Sequence, residues 1–401
     1  MKKIASDFKA VVIGLYPTSL GIIRSLVNKG VKVIGVESDR NIPGAYTRLC
    51  QVENCQDIND DKFLVETLIS FAKRESKKPV LFLTGDENVQ IASKNRKELL
   101  KYYKFSLPEA DIVEMLMEKT KFAKFAEKEK LKVPRSVIFK EIESLSKIIN
   151  DFQFPCIVKP SYKTHAWEHR FEGNKAYFVN KKEELFVLLK EKRKYCNDLI
   201  VQEWIPGDDS NVYFCLMYYG ADSKLKTYFT GRKLLQWLPG TGSTCVAESV
   251  DLDIIKKMSV ELFDKVQYRG LGSAEFKKDD RTGEFKITEP TVGRSNLQSA
   301  IALLQGINMP FEYYCEMIGE SSYAGNHKRK KVIWINEDYC LKYIYKHGIK
   351  DFRKNKIFRK AIFLKKGFAY FNIFDIKPFL IMIYQALCLG AKKIKWLQKV
   401  Q

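Results

Sequence analysis

The segment FPCIVKP, at residues 154–160, joins a short apolar run to a lysine and a proline. The apolar centre predicts a β-strand, and the proline ends that strand because it has no backbone N–H to donate. Lys159 therefore lies where a buried strand opens onto a loop. A lysine in this position either extends its ammonium group into solvent or meets an anionic ligand. The remainder of the sequence favours the ligand.

The size of the chain indicates more than one folding unit. It has 401 residues, of which 45% are apolar, and this is more than one hydrophobic core usually holds. Its nine cysteines form no CxxC pair, and the first forty residues contain no secretory signal pattern. We therefore expect reduced thiols and a cytoplasmic protein. No segment reaches the roughly 18 consecutive apolar residues that a membrane span requires.

The charge balance predicts anionic partners. The chain has 69 Lys and Arg residues against 48 Asp and Glu residues, a net charge of +21. Nucleotide phosphates, nucleic acid, acidic substrates and an anionic membrane surface all fit such an excess. Much of the excess lies in three basic runs at 327–331, 346–360 and 391–399. None of these runs has the aromatic interleaving or reading motif of a nucleic-acid site, so we expect no nucleic-acid partner.

The first 115 residues predict a Rossmann-like domain. Apolar segments at 9–15 and 31–37 flank a helical pattern, which makes a βαβ unit and predicts a parallel sheet. The turn after the first segment contains only Gly14 and Gly21, whereas a dinucleotide fingerprint needs three glycines. The sequence therefore does not favour a nicotinamide dinucleotide.

From about residue 116 onward, strands and helices alternate irregularly. An amphipathic helical pattern at 252–267 is followed by two strand patterns, at 272–278 and 285–290, joined by the turn DDRTGE. This arrangement is typical of an α+β domain.

Four features occur in one order along the chain. They are Lys119 at the start of a helix, the strand-end Lys159, the segment VQEWIPGDD at 201–209, and the acids Glu275 and Glu289, fourteen residues apart. This order resembles that of the ATP-grasp superfamily. The segments KPSYKTHAW, TGRK and EPTVGR resemble those of its predicted ATP-dependent carboxylate–amine ligases. The resemblance covers most of the chain.

The resemblance implies a fold and a division into domains. The fold class is α/β and α+β, with a Rossmann-like domain at 1–115 before an ATP-grasp domain at 116–320. The two lobes of the ATP-grasp domain are expected at about 116–200 and 201–320. A basic, helical C-terminal extension is expected at 321–401.

The resemblance also implies a nucleotide site. ATP carries about four negative charges, so a dry site for it needs fixed cations and a metal ion. Lys119 and Lys159 are the expected phosphate ligands. The loop after Lys159 is poor in glycine where the family often has a glycine-rich lid, and His165 is among the side chains expected to replace the backbone donors.

The segment VQEWIPGDD is the expected adenine and ribose site. By resemblance, an edge strand and the residues after it meet the adenine with backbone groups. These residues are Gln202, Glu203, Trp204 and Ile205. Asp209 is the expected ribose ligand, with Asp208 as the alternative.

Glu275 and Glu289 are the expected magnesium ligands. Mg²⁺ binds one or two carboxylates together with phosphate oxygens and water. The family usually adds an asparagine two residues after the second acid, but this chain has Thr291 there. Asn296 takes the place of that asparagine if the turn after Glu289 brings its side chain back to the two acids.

Two cations are expected to act on the reacting groups. Arg294 resembles the arginine that ends the family's metal-binding segment, and we expect it to stabilise the transferred phosphate or the acyl oxyanion. Lys233, in the TGRK segment, is expected to face the ligand. The loop at 238–244 is expected to gate the substrate, and residues 19–21 of the front domain are expected to form part of the substrate pocket.

The implied activity is ATP-dependent ligation with ATP and Mg²⁺ as cofactors. A small-molecule or glycan-linked carboxylate becomes an acyl phosphate, and an amine displaces the phosphate. The contexts considered are cell-envelope and exopolysaccharide modification. Three alternatives stay open: a nucleic-acid-binding protein, a catalytically degenerate nucleotide-binding or membrane-surface adaptor, and a related enzyme that uses the acyl phosphate differently. A homodimer also stays open.

The C-terminal tail has two interpretations. The apolar run at 378–391 is bracketed by Lys377 and Lys392. It forms either a clamp packed on the core or an amphipathic helix that contacts the inner face of the membrane peripherally.

Overall fold

The computed structural model of the chain describes residues 7–139, 152, 154–161, 176–195, 199–321, 330–354 and 364–400. Within these residues the strands form three sheets, of four, seven and four strands. The strands are β1 (Ala10–Ile13), β2 (Val33–Glu37), β3 (Gln51–Asn54), β4 (Val80–Phe82), β5 (Ser136–Phe139), β6 (Cys156–Pro160), β7 (Tyr177–Val179), β8 (Leu199–Glu203), β9 (Val212–Tyr219), β10 (Leu225–Trp237), β11 (Ser243–Ser249), β12 (Gly270–Lys278), β13 (Phe285–Val292), β14 (Val332–Ile335) and β15 (Lys365–Phe368). The α-helices span Pro17–Val27, Asp61–Ala72, Asp86–Lys94, Arg96–Leu99, Ala110–Met117, Lys119–Lys128, Lys182–Lys192, Asp253–Asp264, Ile301–Leu304, Met309–Ile318, Glu337–His347, Ile349–Lys354 and Lys377–Val400. The chain is thus a mixed α/β protein, as the sequence predicts.

The front sheet is parallel, with strand order β3-β2-β1-β4. Every residue of β1 and β2 is buried, as expected for a parallel sheet with both faces covered. The helix Pro17–Val27 follows β1 and begins with a proline, whose fixed φ suits a first helical turn. The buried Glu37 carboxylate accepts the Leu15 N–H at 2.7 Å and fixes the turn after β1. The βαβ unit that the sequence predicts is present.

The small sheet is antiparallel, with strand order β5-β8-β6-β7. The FPCIVKP segment supplies β6, which lies inside the sheet between β8 and β7. β8 is also an interior strand, because it pairs with both β5 and β6. The expectation of an edge strand at Gln202 is therefore wrong. The physical reason is the apolar run Leu199, Ile200 and Val201, which is buried on both faces and belongs inside a sheet.

The large sheet has strand order β13-β12-β9-β10-β11-β14-β15. Its neighbouring strands are antiparallel except for β14 and β15, which are parallel. Both of these strands come from the segment 321–401, so the expectation of a purely helical extension is wrong. The run VIWI forms β14 with Trp334 only 1% exposed. Four consecutive apolar residues are typical of a fully buried strand.

The C-terminal helix Lys377–Val400 is fixed at its beginning by a buried carboxylate. Asp375 accepts the Thr47 hydroxyl at 2.6 Å and the Arg48 N–H at 3.0 Å. The Arg24 guanidinium lies 3.9 Å from the same carboxylate. These contacts join the C-terminal segment to the front unit, the part of the chain within residues 7–115 that carries the front sheet, as a clamp would. None of the helices in the described part of the chain is long and apolar enough to cross a lipid bilayer.

We predict that Asp375→Ala destabilises the protein by about 2 kcal/mol, because the Thr47 hydroxyl and the Arg48 N–H lose their acceptor in a buried place. Urea unfolding followed by circular dichroism measures the change. The matched control is Asp222→Ala, which removes an exposed turn carboxylate. Equal unfolding midpoints for the two variants contradict the assigned role of Asp375.

Candidate functional site

Most of the residues that the sequence singles out line two connected cavities. The inter-sheet cavity, of about 130 Å³, lies between the small and the large sheet. Its lining includes Lys119, Lys159, Gln202, Glu203, Trp204, Ile205, Glu275 and Glu289. The front cavity, of about 210 Å³, shares Glu275 and Glu289 with it and adds Lys233 and Arg294. Asp209 lines neither cavity, and His165 lies outside the described residues.

Lys119 and Lys159 reach the inter-sheet cavity from different elements. Lys159 is near the end of β6, and its Nζ donates to Gln202 Oε1 on the adjacent β8 at 2.9 Å. Lys119 begins the helix Lys119–Lys128, and its Nζ donates to the carbonyl oxygen of Ser161 at 3.3 Å. Because Ser161 directly follows β6, both ammonium groups are held at the end of the same strand.

Glu275 and Glu289 are direct partners across β12 and β13. The register changes immediately after them, since Phe276 pairs with Ile287 and Thr288 is the extra residue of a bulge. A bulge re-aims the side chains beside it, and it sits next to both acids. Directly opposed residues have Cβ atoms about 5 Å apart. Both carboxylates line both cavities and therefore stand at their junction.

The turn after β13 brings an amide oxygen back toward these acids. Thr291 Oγ1 donates to Asn296 Oδ1 at 3.1 Å, and Asn296 lines the front cavity. No cluster of three or more His, Cys, Asp and Glu side chains suited to a metal occurs in the described parts of the chain. The donors at the junction are thus two carboxylates with an amide nearby. Such oxygen ligands fit Mg²⁺, which takes its remaining ligands from phosphate and water.

Gly293 directs Arg294 into the front cavity. Its φ is +68°, and a Cβ there would lie 2.4 Å from Leu107 Cδ2, so the position needs a glycine. Arg294 Nε lies 2.6 Å from Oδ1 of Asp86, the first residue of the helix Asp86–Lys94 in the front unit. Burial lowers the pKa of Arg294, but the nearby Asp86 carboxylate outweighs it and the net shift is upward. The guanidinium therefore stays charged.

A chain of hydrogen bonds runs from Glu275 to the loop at 238–242. The buried Lys233 Nζ lies 2.7 Å from Glu275 Oε2 and donates to Gln236 Oε1 at 3.0 Å. Gln236 Nε2 donates to Asp209 Oδ1 at 3.0 Å, and its backbone N–H donates to Oδ2 at 2.7 Å. Asp209 Oδ1 also accepts the Gly240 N–H at 2.8 Å. The cation at one end and the anion at the other fix which way the Gln236 amide points.

This network changes the role expected of the two aspartates. The Asp209 carboxylate holds the loop, part of which lines both cavities. Asp208 accepts the Ser210 N–H at 2.7 Å and caps the short 3₁₀ helix Asp209–Asn211. Neither aspartate lines the inter-sheet cavity. The structure therefore does not bring the expected ribose ligand to the site.

The far wall of the inter-sheet cavity lies beyond the end of β8. Trp204 packs edge-to-face against Phe178, with ring centroids 5.0 Å apart. Lys277 Nζ lies 5.3 Å from the Trp204 ring centroid and donates to the Gly207 carbonyl oxygen at 2.8 Å. Burial lowers the pKa of Lys277. Ile205 completes this wall with a buried apolar side chain.

Two further placements concern the Glu203 side chain and residues 19–21. The Glu203 carboxylate pairs with Lys286 Nζ at 2.9 Å, so its side chain is held by the large sheet. Residues 19–21, expected as a pocket loop, lie in the helix Pro17–Val27 and are buried. The preceding residue, Thr18, lines the front cavity.

Three residues of the site were not predicted from the sequence. Asp86 follows the carboxyl end of a strand of the parallel sheet. Because α/β proteins bind ligands at this edge of the sheet, Asp86 could have been predicted as a site residue. Lys277 could also have been predicted, because residues two apart on a strand share a face and Glu275 was already identified. Gln236 gave no such signal, since a register shift between Lys233 and Leu235 breaks the alternation of β10.

We predict that Asp209→Asn loosens the loop at 238–242, because the charge-assisted hydrogen bond from the Gly240 N–H to the carboxylate is weakened. Amide hydrogen exchange of peptides covering this loop should become about tenfold faster, in line with a loss of about 1.5 kcal/mol. Asp208→Asn is the matched control and should leave the exchange unchanged. Equal amide exchange rates of the loop in the two variants would contradict the role of Asp209 in holding the loop.

Comparison with known proteins identifies relatives that cover most of the chain. No protein-family model matches it. The D-aspartate ligase of Enterococcus faecium (strain Aus0004) is 26% identical over 347 residues, which cover 82% of each chain. The biotin carboxylase domain of Hydrogenobacter thermophilus 2-oxoglutarate carboxylase, solved with MgADP, ADP and bicarbonate, has a TM-score of 0.65 at 14% identity and covers 81% of this chain and 74% of that one.

Two further solved structures are ligases or synthetases with the same fold. The N5-carboxyaminoimidazole synthetase of Staphylococcus aureus, in complex with ADP, has a TM-score of 0.63 at 13% identity, covering 83% of both chains. The L-amino acid ligase of Bacillus licheniformis has a TM-score of 0.60 at 12% identity, covering 82% of this chain and 79% of that one. Together with the curated relative, they agree with the resemblance found in the sequence. The chain is thus similar to a D-aspartate ligase over most of its length and shares its fold with these ligases and synthetases.

Proposed function

We propose that this protein activates a carboxylate of an aspartate-like amino acid with Mg-ATP and joins it to an amine. One observation carries the nucleotide part of the proposal: Lys119 and Lys159 line the same cavity as Glu275 and Glu289. A polyphosphate needs fixed cations on one side and a carboxylate-held metal ion on the other. The substrate class comes from the E. faecium relative, which is named as a D-aspartate ligase.

The inter-sheet cavity is the proposed ATP site. Trp204 and Ile205 contact the adenine at the apolar end, and Lys119 and Lys159 bind the phosphates. Gln202 Oε1 accepts a hydrogen bond from Lys159 and orients its ammonium group. A magnesium ion held by Glu275 and Glu289 would supply positive charge to the phosphate oxygens. His165 remains a proposed phosphate ligand on sequence grounds alone.

The front cavity is the proposed site of the carboxylate and the amine. A carboxylate oxygen of the substrate bonds to the γ-phosphorus of ATP, and the bond from that phosphorus to ADP breaks. The amine nitrogen then bonds to the acyl carbon, phosphate leaves with the oxygen it gained, and the nitrogen gives up a proton. Arg294 stabilises the negative oxygen that forms at the acyl carbon. Lys233 positions Glu275 through their ion pair.

The proposal includes a domain arrangement. A Rossmann-like domain at 1–115 precedes an ATP-grasp domain at 116–320, and the segment 321–401 completes the large sheet and packs on the front unit. β8 supports ending the first lobe at Glu203 instead of residue 200, because the strand belongs to the small sheet. Asp86 supports a role for the front domain in the site, since it pairs with Arg294.

The proposal also covers the protein's partners. We propose that the amine or the carboxylate belongs to a cell-envelope or exopolysaccharide component, which makes a glycan-linked substrate the first to test. A homodimer is proposed by analogy with the biotin carboxylase domain, which was solved as a dimer. We also propose that the protein works at the inner face of the membrane, through its C-terminal tail.

The direct test is phosphate release from Mg-ATP with a panel of amino acids and amines, followed by mass analysis of the product. We expect phosphate and an amide product with an acidic amino acid and a matching amine. ATP binding without phosphate release for any pair favours a degenerate nucleotide-binding adaptor. Phosphate release that yields a phosphorylated or carboxylated product instead of an amide contradicts the ligase assignment.

We predict that Glu289→Gln lowers turnover at least about 100-fold, because one carboxylate of the metal pair loses its charge. Phosphate release at saturating ATP and several Mg²⁺ concentrations measures the effect. The control is Glu284→Gln, on the same hairpin, whose exposed carboxylate pairs with Lys132. Turnover equal to the wild type in Glu289→Gln overturns the metal assignment.

We predict that Lys159→Met weakens ATP binding about 10- to 100-fold, because a charge-assisted contact to phosphate is worth about 1.5–3 kcal/mol. Isothermal titration calorimetry with Mg-ATP measures the affinity. Lys190→Met, on an exposed helix position of the same lobe, is the control. Equal affinities in the two variants mean that the phosphates bind elsewhere.

A further inference from the structure

The C-terminal helix Lys377–Val400 packs with one face and exposes another. Phe379, Met382 and Ile383 pack against the core that joins the front and large sheets. Leu380, Tyr384 and Leu387 point away from it, and their exposed fractions are 54%, 65% and 68%. Spacings of four and three residues put these three side chains on one face of a helix. We call this set the exposed stripe.

The turn that leads into the helix extends the exposed apolar surface. Ile373 is 76% exposed and Phe374 is 82% exposed. The turn is itself well fixed, because the buried Asp375 is held by Thr47 and Arg48. Ordered apolar side chains in this number are unusual on a protein surface and mark an interaction site. The opposite face of the helix already packs through Phe379, Met382 and Ile383.

The charge of this segment favours an anionic partner. Residues 377–401 contain five lysines and no aspartate or glutamate. The chain as a whole carries a net charge of +21. An apolar face combined with lysines is the pattern of helices that lie in the interface of an anionic bilayer. A second copy of the chain would bring the same cationic segment and would be repelled at low ionic strength.

We propose that the exposed stripe, together with Ile373 and Phe374, is the surface by which this protein lies on an anionic lipid bilayer. The clamp and the membrane helix, which the sequence left as alternatives, are then two faces of one element. The inference deepens the proposed location at the membrane, but it does not depend on the ligase activity. Vesicle binding is measured without ATP or substrate, so the two proposals can fail separately.

The test is sedimentation of the full-length protein with vesicles of phosphatidylcholine alone or with 30% phosphatidylserine. The test variant carries Leu380→Ser, Tyr384→Ser and Leu387→Ser, all exposed positions that leave the packed face intact. The control variant is Val187→Ser, which removes an apolar side chain of similar exposure, 65%, on a different helix. Circular dichroism melting checks that each variant is folded.

We expect the wild type and Val187→Ser to bind the anionic vesicles at least about tenfold more tightly than the neutral ones, with binding weakened by added salt. The triple variant should lose this binding while keeping its melting temperature. Equal binding by the triple variant and the control overturns the proposal, as does the absence of wild-type binding. If the triple variant instead converts a dimer to a monomer in ultracentrifugation, the stripe is a contact between two copies and the proposal is wrong.

Discussion

The site depends on two carboxylates that face each other across β12 and β13. Glu275 and Glu289 are paired in register, and like charges directly opposite one another destabilise a sheet. At about 4 Å the repulsion is about 1 kcal/mol in bulk water and about 4 kcal/mol at the effective dielectric constant of a protein surface. The fold accepts this cost by placing Lys233 at 2.7 Å from Glu275 and by turning Arg294 into the same cavity.

The cations that balance these acids are themselves restrained from other directions. Asp86 holds Arg294 from the front unit, and Gln236 holds Lys233 from farther along β10. Among the charged residues that line the front cavity, the three carboxylates therefore outnumber the two cations. A divalent cation with bound phosphate completes such a balance. The arrangement explains why residues from three parts of the sequence meet at one point.

Much of the fold followed from local patterns in the sequence. The run FPCIVKP forms β6, the βαβ unit is present, and the two acids lie on adjacent strands. What local patterns do not contain is the order of strands in a sheet. The position of β8 inside the small sheet and the addition of β14 to the large one depend on pairings between distant segments.

The partners of individual side chains were the feature that could be predicted least well from the sequence. Asp208 and Asp209 are adjacent and chemically identical, and only the fold decides that Asp209 meets Gln236 and Gly240. The position of Asp86 at the sheet edge could be predicted, but its pairing with Arg294 could not, because 208 residues separate the two. By contrast, the lysines at the ends of a strand and a helix could be identified, since their positions are set by the element that carries them.

The network from Glu275 to Gly240 links the two halves of the proposed reaction. The acyl phosphate of that reaction is readily hydrolysed, so the site must exclude water after the phosphate is transferred. The loop at 238–242 contributes to the lining of both cavities and is the segment proposed here to cover them. Asp209, Gln236 and Lys233 connect this loop to Glu275, the acid proposed to hold the metal ion beside the phosphates. In the proposed mechanism, these hydrogen bonds would link occupancy of the nucleotide site to the position of the loop over the substrate.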